Sequence, residues 1–136
     1  MMRLIMALSL AAFPAFAEVQ EAGTLAYFGV HFIDTSTEGA YNGIRPDETA
    51  RVAMAAALVA DEMRDRGFEL MSNAPVADRL AGVTNPTRCN GCDVAMARDL
   101  GAEYVMAGEV QKVSNLILNV NLVLRNVETG QVLRSG

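Results

Sequence analysis

Ten consecutive residues, Leu116 to Arg125, alternate with period two. Leu116, Leu118, Val120, Leu122 and Leu124 fall on one side, and Ile117, Asn119, Asn121, Val123 and Arg125 on the other. A strand with one apolar and one wetter face has this pattern, and a helix does not sustain it. Turn pairs stand at its two ends, Ser114-Asn115 and Thr129-Gly130. The pattern therefore predicts a meander of three antiparallel strands, opened by Glu103 to Val110 and closed by Gln131 to Gly136. A sheet anchors the fold, and the rest of the chain must cover it.

Upstream, Thr24 to Ile33 is apolar on both alternating faces, as in a central strand covered on each side. Regular alternation sends Phe28, Val30 and Phe32 to one face and Tyr27, His31 and Ile33 to the other. Asp34 to Arg45, polar and carrying Gly39 and Gly43, reads as a long loop. Pro46-Asp47-Glu48 starts a helix, since proline suits the first turn and acids there complement the free N–H groups. Val52, Ala56, Val59 and Met63 form its apolar stripe, and Gly67 stops it. Phe68 to Met71 predicts a short strand, Val76 to Leu80 a helical turn or two, and Asp93 to Leu100 a helix closed by Gly101. The expected class is α/β (α+β): a mixed sheet of about five strands in the order β-α-β-α-β-β-β, with helices mainly on one face. The final strand barely begins before Gly136, so the expectation is a domain cut short at its C-terminus.

Compartment comes from the other end. Arg3, the apolar run Leu4 to Ala12 and the small-x-small site Ala15-Phe16-Ala17 read as an export leader, residues 1–17. The run is too short for an ordinary membrane span. No cysteine follows the cut to carry a lipid, so no membrane anchor is expected after cleavage. Residues 18–136 are then a single periplasmic or secreted domain of roughly 119 residues, enough for one core. Hydrophobic residues at 51% and charged ones at 20% place it among globular chains. Losing Arg3 takes the 11 basic residues to 10 against 16 acidic ones, a net of −6. With no basic block, neither nucleic acid nor anionic lipid is an expected partner.

Few residues carry chemistry. Cys89-Asn90-Gly91-Cys92 is the one local motif of reactive side chains. In an oxidising compartment it reads first as a structural disulfide, and secondly as a redox pair if the following helix lowers a thiolate pKa. Haem attachment would need histidine where Asp93 stands. Zinc would need four nitrogen or sulfur ligands, more than two cysteines and His31 supply. No metal or cofactor is expected. His31, inside a strand, reads as a packing residue. The loop residues Asp34, Thr35, Ser36 and Glu38 are a candidate ligand or cation loop, because open α/β sheets bind ligands beyond strand ends. Asn119, Asn121 and Arg125 are a candidate partner face. No nucleophile elbow, His-Glu-x-x-His or phosphate loop is present.

Gly101-Ala102-Glu103-Tyr104-Val105-Met106-Ala107-Gly108-Glu109-Val110, the long strand and Asn126-Val127-Glu128-Thr129-Gly130-Gln131-Val132-Leu133 resemble an envelope module. That module is found in the amino-terminal domain of TolB and in the curli-secretion lipoprotein. Arg45-Pro46-Asp47-Glu48, Cys89-x-x-Cys92, Ala97 to Ala102 and Gln111 to Asn119 are similar to a family of exported proteobacterial proteins of unknown function. The resemblance implies a fold and a compartment, a chain continuing past Gly136, and a loose association with quinoprotein alcohol oxidation. It supplies no catalytic residue. The reading that follows is a non-enzymatic accessory module with a protein partner in the cell envelope. The alternatives are a thiol-disulfide protein using Cys89 and Cys92, and a small-ligand or cation binder.

Overall fold

The computed structural model describes residues 22–136; the expected leader lies outside them. Five strands form one sheet in the spatial order β2-β1-β3-β4-β5. Strand β1 (Thr24–Asp34) pairs in parallel with β2 (Glu69–Leu70) on one side and β3 (Tyr104–Ser114) on the other. The strands β4 (Ile117–Asn126) and β5 (Val132–Ser135) complete the antiparallel meander that the alternation predicts. The hairpin turns on Asn115 and Leu116, one residue later than the sequence suggested, which leaves Leu116 outside β4.

Among the described residues, four α-helices connect the strands: α1 (Thr37–Asn42), α2 (Pro46–Asp65), α3 (Ala77–Ala81) and α4 (Cys92–Asp99). The mixed five-strand sheet is as expected, but the helices divide between its two faces rather than gathering on one. Topology explains this. The chain leaves β1 for β2 on one flank, then crosses back over to β3 on the opposite flank. Right-handed crossovers in opposite directions put their helices on opposite faces. Met63 of α2 packs with Leu25, Phe68, Met106 and Leu124. On the other face, Val76 before α3 and Val94, Met96 and Ala97 of α4 pack with Ala26, Phe28, Val105 and Ala107.

The stretch read as a long loop holds α1, whose first turn is capped by Ser36: its Oγ accepts from the Gly39 N–H. A six-residue helix with no buried residue leaves no apolar periodicity to read.

Strand β1 does not keep a regular period of two. Tyr27 pairs with Met106 and Val30 with Gly108, so three steps on β1 match two on β3. The extra residue is absorbed at Gly29, whose φ of 79° suits glycine. Beyond this bulge the phase of the strand reverses. Tyr27, Val30 and Phe32 share the face of α2, while Phe28, His31 and Ile33 share the face of α4. The Tyr27 hydroxyl donates to the Ala56 carbonyl of α2 at 3.0 Å, and burial pushes its pKa up to about 12. Tyr27→Phe should cost about 1 kcal/mol of unfolding free energy in a urea titration, the usual net worth of such a bond.

Candidate functional site

The ends of β1 and β3 lie side by side, and there the sheet carries charge where its pattern would place apolar groups. Lys112, in phase with Met106 and Val110, directs its ammonium under α2, and its side chain is 6% exposed. Its Nζ lies 2.6 Å from Glu48 Oε1 and 3.8 Å from Asp34 Oδ2. Glu48 Oε2 accepts from the Arg45 N–H at 3.0 Å, closing the first turn of α2. Asp34 Oδ1 accepts from the Ser36 N–H at 2.8 Å and from Ser36 Oγ at 2.5 Å. A Cβ on Gly39 would collide with the Asp34 carboxyl, so glycine here lets α1 close over it without displacing that side chain.

Electrostatics follow from these contacts. The Ser36 hydrogen bonds hold the Asp34 carboxyl below its ordinary range. The Lys112 ammonium, then the Arg45 N–H, do the same for Glu48. Glu48 in turn raises Lys112. The triad is a fixed ion cluster of two acids and one base, and it offers no group poised near neutrality for acid–base work.

Above the cluster a groove of about 520 Å³ opens between the first half of α2 and the outer half of the β3–β4 hairpin. Phe32, Val52, Val110, Leu118 and Val120 line it, with Arg45 and Arg51 at its mouth. The hairpin projects past the helices. Leu116 is 94% exposed, and Ile117, Leu118 and Val120 are more than half exposed. Residues 113–124 include no charged side chain.

The residues singled out in the sequence fall into separate places. The proposed loop directs its polar groups to the chain itself. Thr35 Oγ1 donates to the Lys112 carbonyl at 3.0 Å, Ser36 caps α1, and Glu38 accepts from Asn115. Asn119 and Asn121 share one face of β4 with Arg125, but Arg125 turns to Asp93 of α4, Nε to Oδ2 at 3.1 Å. Its role is therefore to fasten α4, apart from the two asparagines. Cys89 and Cys92 form a disulfide, their Cα atoms 5.4 Å apart. His31 Nε2 lies 3.0 Å from the Phe28 carbonyl, bonded within its own strand. No group of three or more metal-type ligands occurs among the described residues.

Four charged residues escaped the sequence reading. Glu48 passed as an ordinary first-turn acid, and Lys112 lay just beyond the strand read as ending at Val110. Glu109 gave the clearest missed signal, a lone charge inside the run from Val105 to Val110. It is buried, and Arg88, the fourth, meets it at 2.5 Å.

Comparison with known proteins adds the family. The family described as "Protein of unknown function (DUF2380)" matches residues 23–136. The chain belongs to it. Among solved structures, the LpoB C-terminal domain from Escherichia coli is similar, with 22% identity and a TM-score of 0.54 over 83% of this chain and 78% of that one. The corresponding Salmonella enterica domain gives 21% and 0.53, with the same coverage of both chains. The lipoprotein GNA1162 from Neisseria meningitidis gives 17% and 0.53 over 85% of this chain and 79% of that one. At these identities the likeness shows a shared fold. No curated protein matches.

Proposed function

We propose that this protein is a non-enzymatic accessory module of the cell envelope that docks another protein through the outer half of the β3–β4 hairpin. The observation that carries the reading is that hairpin: an uncharged projection, apolar on one side and amide-bearing on the other, with Leu116, Ile117, Leu118 and Val120 left largely uncovered. Uncovered apolar surface of this kind marks interaction sites. One weaker support is the fold, shared with the LpoB C-terminal domain and with a protein described as a lipoprotein. No helix among the described residues is long and apolar enough to cross a membrane. Export through a leader cleaved after Ala17 to a soluble periplasmic or secreted form, kinship with the TolB and curli-secretion modules, and a tie to quinoprotein alcohol oxidation belong to the same proposal.

Asn119→Asp tests the docking face. The variant places a charge on the exposed amide side of β4 without touching the core. It should melt within a few degrees of the parent and lose a partner that the parent recovers from envelope extract. Recovery of the same set of proteins by both forms would refute this face.

A further inference from the structure

The sheet face away from α2 holds a buried acid of its own, and its side-chain partners all come from one short segment. Glu109, with its side chain 4% exposed, receives the Arg88 guanidinium at 2.5 Å, Asn85 Nδ2 at 2.5 Å and Thr87 Oγ1 at 3.2 Å. Residues 85–88 lead directly into Cys89. The loop from Cys89 to Cys92 then turns on Asn90 and Gly91, with φ of 56° and 91°. Asn90 is the single non-glycine residue with positive φ among those described. Cys92 opens α4, and the Asp93 N–H points at Cys89 Sγ from 3.2 Å. Both cysteines are half-buried, and a hollow of about 350 Å³ lined by Thr87, Asn90, Gly91, Asp93 and Arg125 adjoins them.

We infer that the Cys89–Cys92 disulfide is a thiol-disulfide exchange site for a protein dithiol, and that opening it releases Arg88 from Glu109.

The two sulfurs differ in what surrounds them. Charge developing on Cys89 Sγ meets an amide N–H at a helix start, so Cys89 is the better leaving group. The neighbouring Asp93 carboxylate does not oppose this, because Arg125 already balances it. The incoming thiolate therefore attacks Cys92 Sγ. A bond forms between the reductant and Cys92, the Cys89–Cys92 bond breaks, and its electron pair stays on Cys89 as thiolate. The reductant's second thiolate then attacks its own sulfur in the mixed disulfide and expels Cys92. Two electrons and two protons pass from the dithiol, which becomes a disulfide, to the pair, which becomes two thiols. Stapling alone is a weak reason for the bond, since so small a ring removes little freedom from the unfolded chain.

Opening the ring removes the covalent closure of the turn through Asn90 and Gly91. Relaxation there moves Cys89, and Arg88 is its direct neighbour. The Arg88 side chain is 67% exposed, so water can take over its guanidinium, whereas Glu109 stays beneath the loop. Redox state is thereby converted into the position of one surface segment.

The test uses the full oxidised chain. Reduced thioredoxin, as the protein dithiol, should open the pair in the folded protein, read by alkylation and mass. In the reduced form Cys89 should alkylate about tenfold faster than Cys92 near neutral pH. The Thr87 and Arg88 amides should exchange hydrogen about tenfold faster after reduction. Arg88→Ala should speed the same amides while the bond is still closed. A bond that opens only after denaturation would overturn the exchange site. Exchange rates at Thr87 and Arg88 that ignore reduction would overturn its coupling to Glu109. Equal alkylation of the two thiols would overturn the assigned order of attack. None of these readings depends on Asn119 or Asn121, so failure here is distinct from failure of the docking proposal.

Discussion

Phe28→Ala should come close to unfolding the protein, with a loss of about 3–5 kcal/mol in chemical denaturation, the range for truncating a buried aromatic. Domains of this size hold only about 5–15 kcal/mol in total. Phe28 is 3% exposed and sits among Ala26, Val76, Met96, Ala97 and Val105, between the sheet and α4. Ala26 and Ala97 are too short to fill the space, and Met96, already buried in its own place, can refill only part of it. Phe32→Ala, four residues on, should cost far less, because Phe32 lines an open groove that water already reaches. A strand of unbroken period two would give the pair matching environments. Equal losses from the two variants would therefore contradict the bulge at Gly29.

Lys112→Met should lower the melting temperature at neutral pH by more than any surface change, and it should reverse the dependence of stability on pH. In the parent protein, Asp34 and Glu48 have carboxyl groups held below their ordinary range, by Ser36 and by Lys112 respectively. The unfolded chain then takes up protons first as the medium is acidified. Their contribution is complete above the ordinary carboxylate range and is lost as pH falls below about 4. Removing the ammonium leaves two buried carboxylates facing each other with no cation between them. Burial and mutual repulsion then favour a proton on one of them in the folded state. The variant should consequently gain stability between about pH 7 and pH 5, where the parent changes little. Melting curves for both proteins across that interval give the answer. Parallel profiles would mean that Lys112 is not the counter-ion of this cluster.

Much of the architecture was legible because it rests on patterns that neighbouring residues share. Leu116 to Arg125 announced its strand through alternation, and Val52 to Met63 announced α2 through its stripe. The failures came where one residue sets the geometry. Nothing local marks Gly29 as the extra residue of a bulge, since glycine within a strand has several uses. The short helix α1 is specified by the Ser36 cap and by its approach to Asp34 rather than by periodicity. The ion cluster draws on Asp34, Glu48 and Lys112, which lie far apart in the chain and meet only when β1, α2 and β3 assemble. Arg125 was placed on the correct face of β4, yet its partner Asp93 lies 32 residues away. Cys89 and Cys92 were readable as a pair because their partnership is local.

The bulge also gives β1 one residue of slack. Phe28 and Gly29 together stand opposite Ala107. Shortening the chain by one residue at that point would regularise the ladder while Leu25 and Tyr27 kept their side and Asp34 kept facing Lys112. A deletion elsewhere in the strand would turn one half over, sending Leu25 out of its layer if it fell before the bulge and Asp34 if it fell after. Length variation within β1 is thus tolerable at a single address, and the inner portion that holds the fold together can be retuned separately from the outer portion that carries the charges.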